Sequence, residues 1–168
     1  LAKFSKDGKF YWVNHIGRGE STQKNGEVIL DNSNDLIATM DYKDSIIVVD
    51  KNKDTTLYSE SASSEATVVV KLDTSGIIYD NAIYNIPTKG DNGVAKIYDI
   101  QEYEGDYYFS GRFQDSVFFK SREYESTNSS YDVFLLKIDN EFNDLWLQRT
   151  YGGADDYPGS ITNNQYGN

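Results

Sequence analysis

Apolar and polar residues alternate along the stretch DLIATMDYKDSIIV, which runs from Asp35 to Val48. One set of alternate positions is apolar throughout, and the other set becomes polar toward the end of the stretch. A half-buried β-strand sends successive side chains to opposite faces, whereas an amphipathic helix repeats about every 3.6 residues. The stretch therefore predicts a strand, and no part of the chain fits an amphipathic helix well.

The same pattern occurs a second time in the stretch DYYFSGRFQDSVFF, which begins at Asp106 and aligns with the first without gaps. Tyr107, Phe109 and Phe113 lie on its apolar face, and the two copies share an Asp-Ser pair as well as the alternation. Identical residues at equivalent places predict that the chain is built from repeated units.

A hairpin-like pattern occurs three times, in the segments LAKFSKDGKFYWV, ATVVVKLDTSGIIYD and DVFLLKIDNEFNDLWLQ. Each has an apolar run, a lysine, a polar turn and a second apolar run. Aligning Lys3, Lys71 and Lys137 gives a period of just under seventy residues. The first two turns carry glycine, for which positive φ is easy, whereas the third carries Phe142 at the equivalent position.

Short antiparallel strands that recur at a fixed period are typical of β-propeller blades, although familiar blades repeat every ~40 to 50 residues. We therefore predict an all-β fold made of propeller-like, four-stranded antiparallel blades. The expected divisions are a divergent unit at 1–65, a second unit at 66–131 and a partial unit at 132–168. The strands expected in the second unit are ATVVVKLD, IIYDNAIY, VAKIYDIQEY and DYYFSGRF.

Two polar segments, 51–65 and 120–130, are expected to be surface loops because they are rich in Ser, Thr, Asn and Lys. Because a closed propeller needs four or more blades, the chain is expected to be an excerpt of a larger propeller. The alternatives are that several copies complete a ring or that the units stack as an open array.

Composition narrows the classes of partner. The 168-residue chain carries a formal charge of −11, which opposes binding to nucleic acid. It contains no cysteine, which excludes disulfides and thiolate chemistry, and no apolar run of about eighteen residues that could span a membrane.

The third hairpin resembles the bacterial β-propeller repeats often called SBBP repeats, which occur in large secreted and surface proteins. The family string D-x-F-[VL]-x-K-[LI]-D-x-x-G-x-x-x-W, followed by F-G-G and an acidic loop containing tyrosine, is similar to the residues Asp132, Phe134, Lys137, Ile138, Asp139, Trp146, Tyr151, Gly152, Gly153, Asp156 and Tyr157. The strand at 107–113 resembles the family's next strand. The resemblance implies a secreted or surface propeller whose blades pack face to face, and it supplies no catalytic residues.

One candidate metal site is Asp50, Asn52 and Asp54, whose alternate spacing matches the oxygen ligands of a calcium loop. Thr55 stands where such loops have glycine, and Ser61 stands where they have a bidentate glutamate. A solvated turn between strands is the alternative interpretation.

A candidate ligand-contacting surface is formed by Tyr151, Asp155, Asp156 and Tyr157, because tyrosines beside acids are typical of carbohydrate- and protein-contacting surfaces. Few side chains suited to nucleophilic or acid–base catalysis are present, since His15 is the sole histidine and the chain has no cysteine. The lysines and aspartates of KLD and KID are expected to pair charges at strand ends.

The function predicted first is non-enzymatic: a structural, adhesive or assembly segment outside the cell or on its surface, whose partners are other blades of the same or neighbouring chains. A carbohydrate- or peptide-binding propeller that contacts a glycan or a surface protein is the alternative. A glycosidase-like or quinone-dependent enzyme is the second alternative.

Overall fold

A computed structural model describes residues 1–15, 17–18, 23–24, 26–49, 54–59 and 62–162. Those residues form strands and one short 3₁₀ turn at Thr127–Ser129, so the predicted all-β fold is confirmed. The strands are β1 Ala2–Phe4, β2 Phe10–Val13, β3 Gly17–Arg18, β4 Gln23–Lys24, β5 Val28–Leu30, β6 Leu36–Lys43, β7 Ser45–Val49, β8 Asp54–Tyr58, β9 Glu65–Leu72, β10 Ile78–Ile86, β11 Thr88–Tyr103, β12 Asp106–Phe119, β13 Arg122–Glu125, β14 Asp132–Ile138 and β15 Asp144–Arg149.

The three aligned hairpins, β1–β2, β9–β10 and β14–β15, are joined by turns of the same geometry. In each turn the first residue, Ser5, Asp73 or Asp139, accepts backbone N–H groups from two and four residues further on through its side-chain oxygen. Such side chains stabilise turns by replacing backbone partners. The fourth turn residue has positive φ in all three, including 65° at Phe142.

Asp31 begins a further turn of this geometry, between β5 and β6. Its carboxylate accepts the backbone N–H groups of Ser33 (2.8 Å) and Asp35 (2.9 Å), and Asn34 takes the positive φ of 64°. The alignment of the three hairpins on their lysines did not identify this turn, because the strand before it has no lysine at the equivalent position.

Hydrogen bonding divides the ten-stranded sheet into two antiparallel groups. The first group has the order β5-β6-β9-β10, and the second has the order β11-β12-β14-β15. A parallel bridge between Val94 and Glu65 connects the two groups. β4 extends the first group along β6, and β13 extends the second along β12.

This grouping differs from the predicted arrangement of strands in the second unit. β9 pairs with β6 and β10 in the first group, whereas β12 pairs with β11 and β14 in the second. The chain passes from one group to the other at Pro87, which lacks the N–H needed to continue a ladder. The described chain therefore contains two full groups preceded by one hairpin.

The two groups pack face to face. Ile37, Val69 and Ile86 of the first group lie in one buried cluster with side chains from the second group. The opposite face of the first group, which includes Ala38, Tyr42 and Val70, forms a second core with the inserted hairpin β7–β8. β6 is thus buried on both faces, whereas the sequence pattern indicated one.

Both segments expected to be polar loops contain strands. β8 lies inside the first segment and pairs with β7, which precedes it, and β13 lies inside the second and pairs with the end of β12. Composition did not reveal these strands, because every side chain of β8 and β13 is exposed or partly exposed, as in a surface loop. Each excursion lies between the second and third strands of its group.

The hairpin β1–β2 contacts the turn between β9 and β10. Lys3 Nζ and Trp12 Nε1 each donate to the Thr74 carbonyl at 3.0 Å, and the Trp12 ring lies against Gly76. A Cβ atom at Gly76 would come within 2.8 Å of that ring. Glycine is therefore required here for close approach as well as for its φ of 82°.

Candidate functional site

A network of charged and polar side chains lies between the two sheet groups. It consists of Asp31, Asp35, Lys71, Tyr79 and Tyr107, hereafter the Lys71 cluster. Lys71 stands on β9 opposite Ile37, on the face that packs against the second group. The turn at Asp31 brings the two carboxylates to the same place, since its first and last residues are hydrogen-bonded.

Lys71 Nζ lies 2.9 Å from Asp31 Oδ2 and 3.5 Å from Asp35 Oδ2, and it donates to the Tyr107 hydroxyl at 3.0 Å. The Tyr107 hydroxyl in turn donates to Asp31 Oδ2 at 2.9 Å. Tyr79 closes the network by donating to Asp35 Oδ1 at 3.0 Å. Every donor of the ammonium group therefore has a protein partner.

The electrostatics of the cluster favour the ion pair. Burial alone would raise the pKa of Asp31, but hydrogen bonds from Lys71, the Asp35 backbone and Tyr107 hold that pKa below its ordinary value. Burial would lower the pKa of Lys71, yet Tyr107 and Asp31 raise it above its usual range. Burial raises the pKa of Tyr107 to about 12. Lys71 consequently stays protonated at neutral pH, which suits ion pairing and not nucleophilic attack.

A cavity of about 530 Å³ adjoins this cluster, hereafter the Lys71 cavity. Its lining combines three members of the cluster with Ala82 of β10 and the turn between β14 and β15: Asp35, Lys71, Tyr79, Ala82, Asn140, Glu141, Phe142 and Asn143. Its volume falls within the range of small-molecule sites, about 300–1,000 Å³.

Phe142 fixes the turn that forms one wall of this cavity. Its ring packs edge-on against Tyr107, with centroids 5.9 Å apart, and the residue is buried. A left-handed conformation costs a non-glycine residue on the order of 1 kcal/mol, and the burial of the ring offsets this cost. Phe142 thus replaces the turn glycine of the other two hairpins because its side chain joins the interface between the groups.

The lysines at the aligned positions of the second and third hairpins make equivalent ion pairs. Lys71 pairs with Asp35, and Lys137 pairs with Asp106 at 2.7 Å. Asp35 and Asp106 are themselves equivalent residues of the aligned strand stretches. The structure thus places the lysines in charge pairs at strand ends, whereas Asp73 and Asp139 hold the turns.

The candidate calcium ligands lie mostly outside the described residues, because Asp50 and Asn52 belong to the segment 50–53. Asp54, the third candidate, begins β8 and is exposed. Among the residues described, no group of three or more His, Asp or Glu side chains is arranged to hold a metal ion. Nor does any helix in the described ranges have the length and apolar character needed to cross a membrane.

The four candidate ligand-contacting residues lie in the extended segment that follows β15. Asp155 Oδ1 accepts the Tyr131 N–H at 3.1 Å, whereas Asp156 Oδ2 accepts the Thr150 hydroxyl at 2.7 Å. The two carboxylates therefore accept hydrogen bonds from different segments of the chain. Tyr151 and Tyr157 remain exposed, by 75% and 71%.

Arg112 organises the outer face of the second group. Its guanidinium carbon lies 4.1 Å from the Tyr131 ring centroid and 5.1 Å from that of Tyr157. The segment then crosses the face, where Ser110 donates to the Gly159 carbonyl at 3.1 Å. Tyr157 thus packs on an arginine of its own chain while keeping one side in solvent.

Sequence reasoning did not identify Asp31, Tyr79 or Tyr107 as members of a site. Two signals were present in the sequence. The stretch DNSND, residues 31–35, has the same spacing of polar residues as the aligned turns, and a tyrosine among apolar strand positions needs a partner for its hydroxyl.

Comparison of the chain with protein-family models, curated proteins and solved structures found no match.

Proposed function

We propose that this chain is a non-enzymatic segment of a β-propeller with a structural, adhesive or assembly role outside the cell or on its surface. The observation that carries the proposal is the consistent direction in which the described groups stack. The apolar face of the first group, with Ala38 and Met40, lies beside the hairpin β1–β2 across a shared cavity. The corresponding face of the second group, with Phe109 and Phe113, lies against the first group.

The outer face of the second group supports the same proposal. On the first group, the equivalent face is buried by a complete neighbouring sheet. On the second group, a single extended segment crosses that face, where the half-buried rings of Tyr108 and Trp146 pack edge-on with centroids 6.1 Å apart. A further sheet unit of the same or a neighbouring chain fits this place, since blades bury their faces against neighbours.

The chemistry of the Lys71 cluster favours a structural role over catalysis. Its ammonium group is protonated and fully engaged by protein oxygens, so the cluster joins the two groups electrostatically. The extracellular or surface location is supported by the resemblance to secreted propeller repeats.

The first experiment determines the assembly state of the protein from its native source, by intact mass spectrometry and negative-stain electron microscopy of the same sample. A native chain several times longer than 168 residues, or closed rings of copies, is expected. A folded chain of that length that stays monomeric would contradict the closed-propeller proposal.

A second experiment targets the outer face directly. Trp146→Ser is expected to prevent assembly while leaving the isolated chain folded, because the ring is half-buried at the surface of the sheet. Tyr58→Ser is the matched control, since it removes an aromatic ring that is 67% exposed on the excursion hairpin. Loss of assembly in both variants, or in neither, would count against the outer face as the contact surface.

A further inference from the structure

The Lys71 cavity has a lining rich in hydrogen-bond acceptors. The N–H groups of Lys71 are directed to Asp31, Asp35 and Tyr107, and the Tyr79 hydroxyl donates to Asp35. A carboxylate offers about four lone-pair sites, so Asp35 keeps acceptor capacity beyond these two contacts.

The turn between β14 and β15 adds further acceptors to the opposite wall. Glu141 contributes an exposed carboxylate. The Asn143 amide nitrogen donates to Asp139 Oδ2 at 3.0 Å, which leaves the amide oxygen of that side chain as an acceptor. A ligand that donates several hydrogen bonds therefore suits this wall.

The charge of the lining is negative. Asp35 and Glu141 bring two carboxylates, and Lys71 brings one ammonium group that is also shared with Asp31 behind the wall. The whole chain carries a formal charge of −11, which adds to the attraction for cations at long range. An anionic ligand is disfavoured on both counts.

Apolar surface completes the cavity. Ala82 and the ring of Tyr79, which is 41% exposed, line the side formed by β10. An aromatic face attracts a cation and also packs against alkyl carbons. An uncharged sugar fits less well, because it carries no charge to pair with Asp35 and Glu141.

We propose that the Lys71 cavity binds a guanidinium or ammonium group carried on an alkyl stem, as in an arginine or lysine side chain of a peptide partner. The cationic head lies between Asp35 and Glu141, and the stem packs on Tyr79. This site is independent of the propeller assembly, since both of its walls belong to one chain.

The test is an NMR titration of the full chain with N-acetyl-arginine amide, monitored at the backbone amides of the cavity residues. Saturable shifts are expected at Tyr79, Ala82 and the turn 140–143, with a dissociation constant of about 1 mM, as suits a single side chain. N-acetyl-citrulline amide, which has nearly the same shape without the charge, is expected to bind at least several-fold more weakly.

Glu141→Gln is the informative variant, because an exposed turn residue can be changed without loss of folding. It is expected to weaken binding about three-fold, which corresponds to one solvent-exposed charge pair. Asp7→Asn is its matched control: Asp7 is exposed at the equivalent turn position of the first hairpin and lies outside the cavity lining. This control is expected to leave binding unchanged.

Three results would overturn the proposal. The first is an absence of saturable shifts at the cavity residues, and the second is equal binding of the citrulline compound. The third is equal weakening by Glu141→Gln and Asp7→Asn, which would indicate a general effect of net charge. Each of these outcomes leaves the result of the assembly experiments unaffected.

Discussion

Replacing Lys71 by methionine removes the cation that lies between Asp31 and Asp35 and retains an unbranched apolar stem. The side chain of Lys71 is 14% exposed and that of Asp31 is 4% exposed, so the freed carboxylate cannot rehydrate without disturbing the interface. Breaking a buried pair by removing one partner costs about 3–5 kcal/mol. Because Lys71 keeps some contact with solvent, we expect Lys71→Met to lower the free energy of unfolding by about 3 kcal/mol.

Lys137→Met is the matched control, because Lys137 occupies the equivalent position of the third hairpin. Its partner Asp106 is 29% exposed, and the two groups are 2.7 Å apart. After the substitution this carboxylate regains water, so the expected loss is about 1 kcal/mol or less. The two variants thus make the same chemical change at sites that differ in burial.

Urea unfolding measures both losses as shifts in the transition midpoint at an unchanged slope. The double variant Lys71→Met with Asp31→Asn is expected to recover part of the loss, because it removes the uncompensated buried charge. Equal losses for the two lysine variants, or a loss below about 1 kcal/mol for Lys71→Met, would refute the reasoning that burial sets the cost.

The pH dependence of the same variant provides a second check. The folded-state pKa of Asp31 lies below its ordinary value of 3.8, so this group stabilises the fold above that pH, and the contribution is lost as the pH falls through the folded-state pKa. Without Lys71 the pKa of Asp31 rises, and protonation relieves the buried charge at a less acidic pH. The gap in stability between wild type and Lys71→Met should therefore narrow from neutral pH to below pH 3.8, and a constant gap would contradict this account.

Further variants test the packing of the sheets. Gly111→Ala places a Cβ atom 2.3 Å from the Phe134 ring and should cost about 1–3 kcal/mol in urea unfolding, whereas Gly159→Ala, with no atom within 4 Å, should be neutral; equal effects would contradict the close packing. Tyr42→Phe removes a 2.8 Å hydrogen bond to Asn85 and should lower the unfolding free energy by about 1 kcal/mol, and an unchanged midpoint would contradict that assignment.

The alternation of side chains and the repeated turn residues predicted the three aligned hairpins and the two aligned strands, β6 and β12, because both signals are local. The division into sheet groups could not be predicted in the same way. A periodic sequence aligns equally well wherever the repeat is cut, so the period does not reveal that the break between groups falls at Pro87. That boundary depends on which strands lie beside each other in space.

The Lys71 cluster was hidden for a related reason. Asp31 and Tyr107 lie far apart in sequence and belong to different sheet groups, and they meet only because the groups pack face to face. Alignment of the repeats compared Lys71 with Lys137 and correctly indicated charge pairing, but it carried no information on contacts between neighbouring groups. Predicting the cluster requires the order in which the sheets stack.

The excursion between the second and third strands of each group has a consequence for the order of folding. β9 and β10 need only a tight turn to meet, whereas β6 meets β9 after the chain has closed a loop that contains β7 and β8. The entropy of loop closure rises with loop length, and long-range strand pairing slows folding. The hairpins β9–β10 and β14–β15 should therefore form early. The pair β5–β6 should join β9–β10, and the pair β11–β12 should join β14–β15, in a later step.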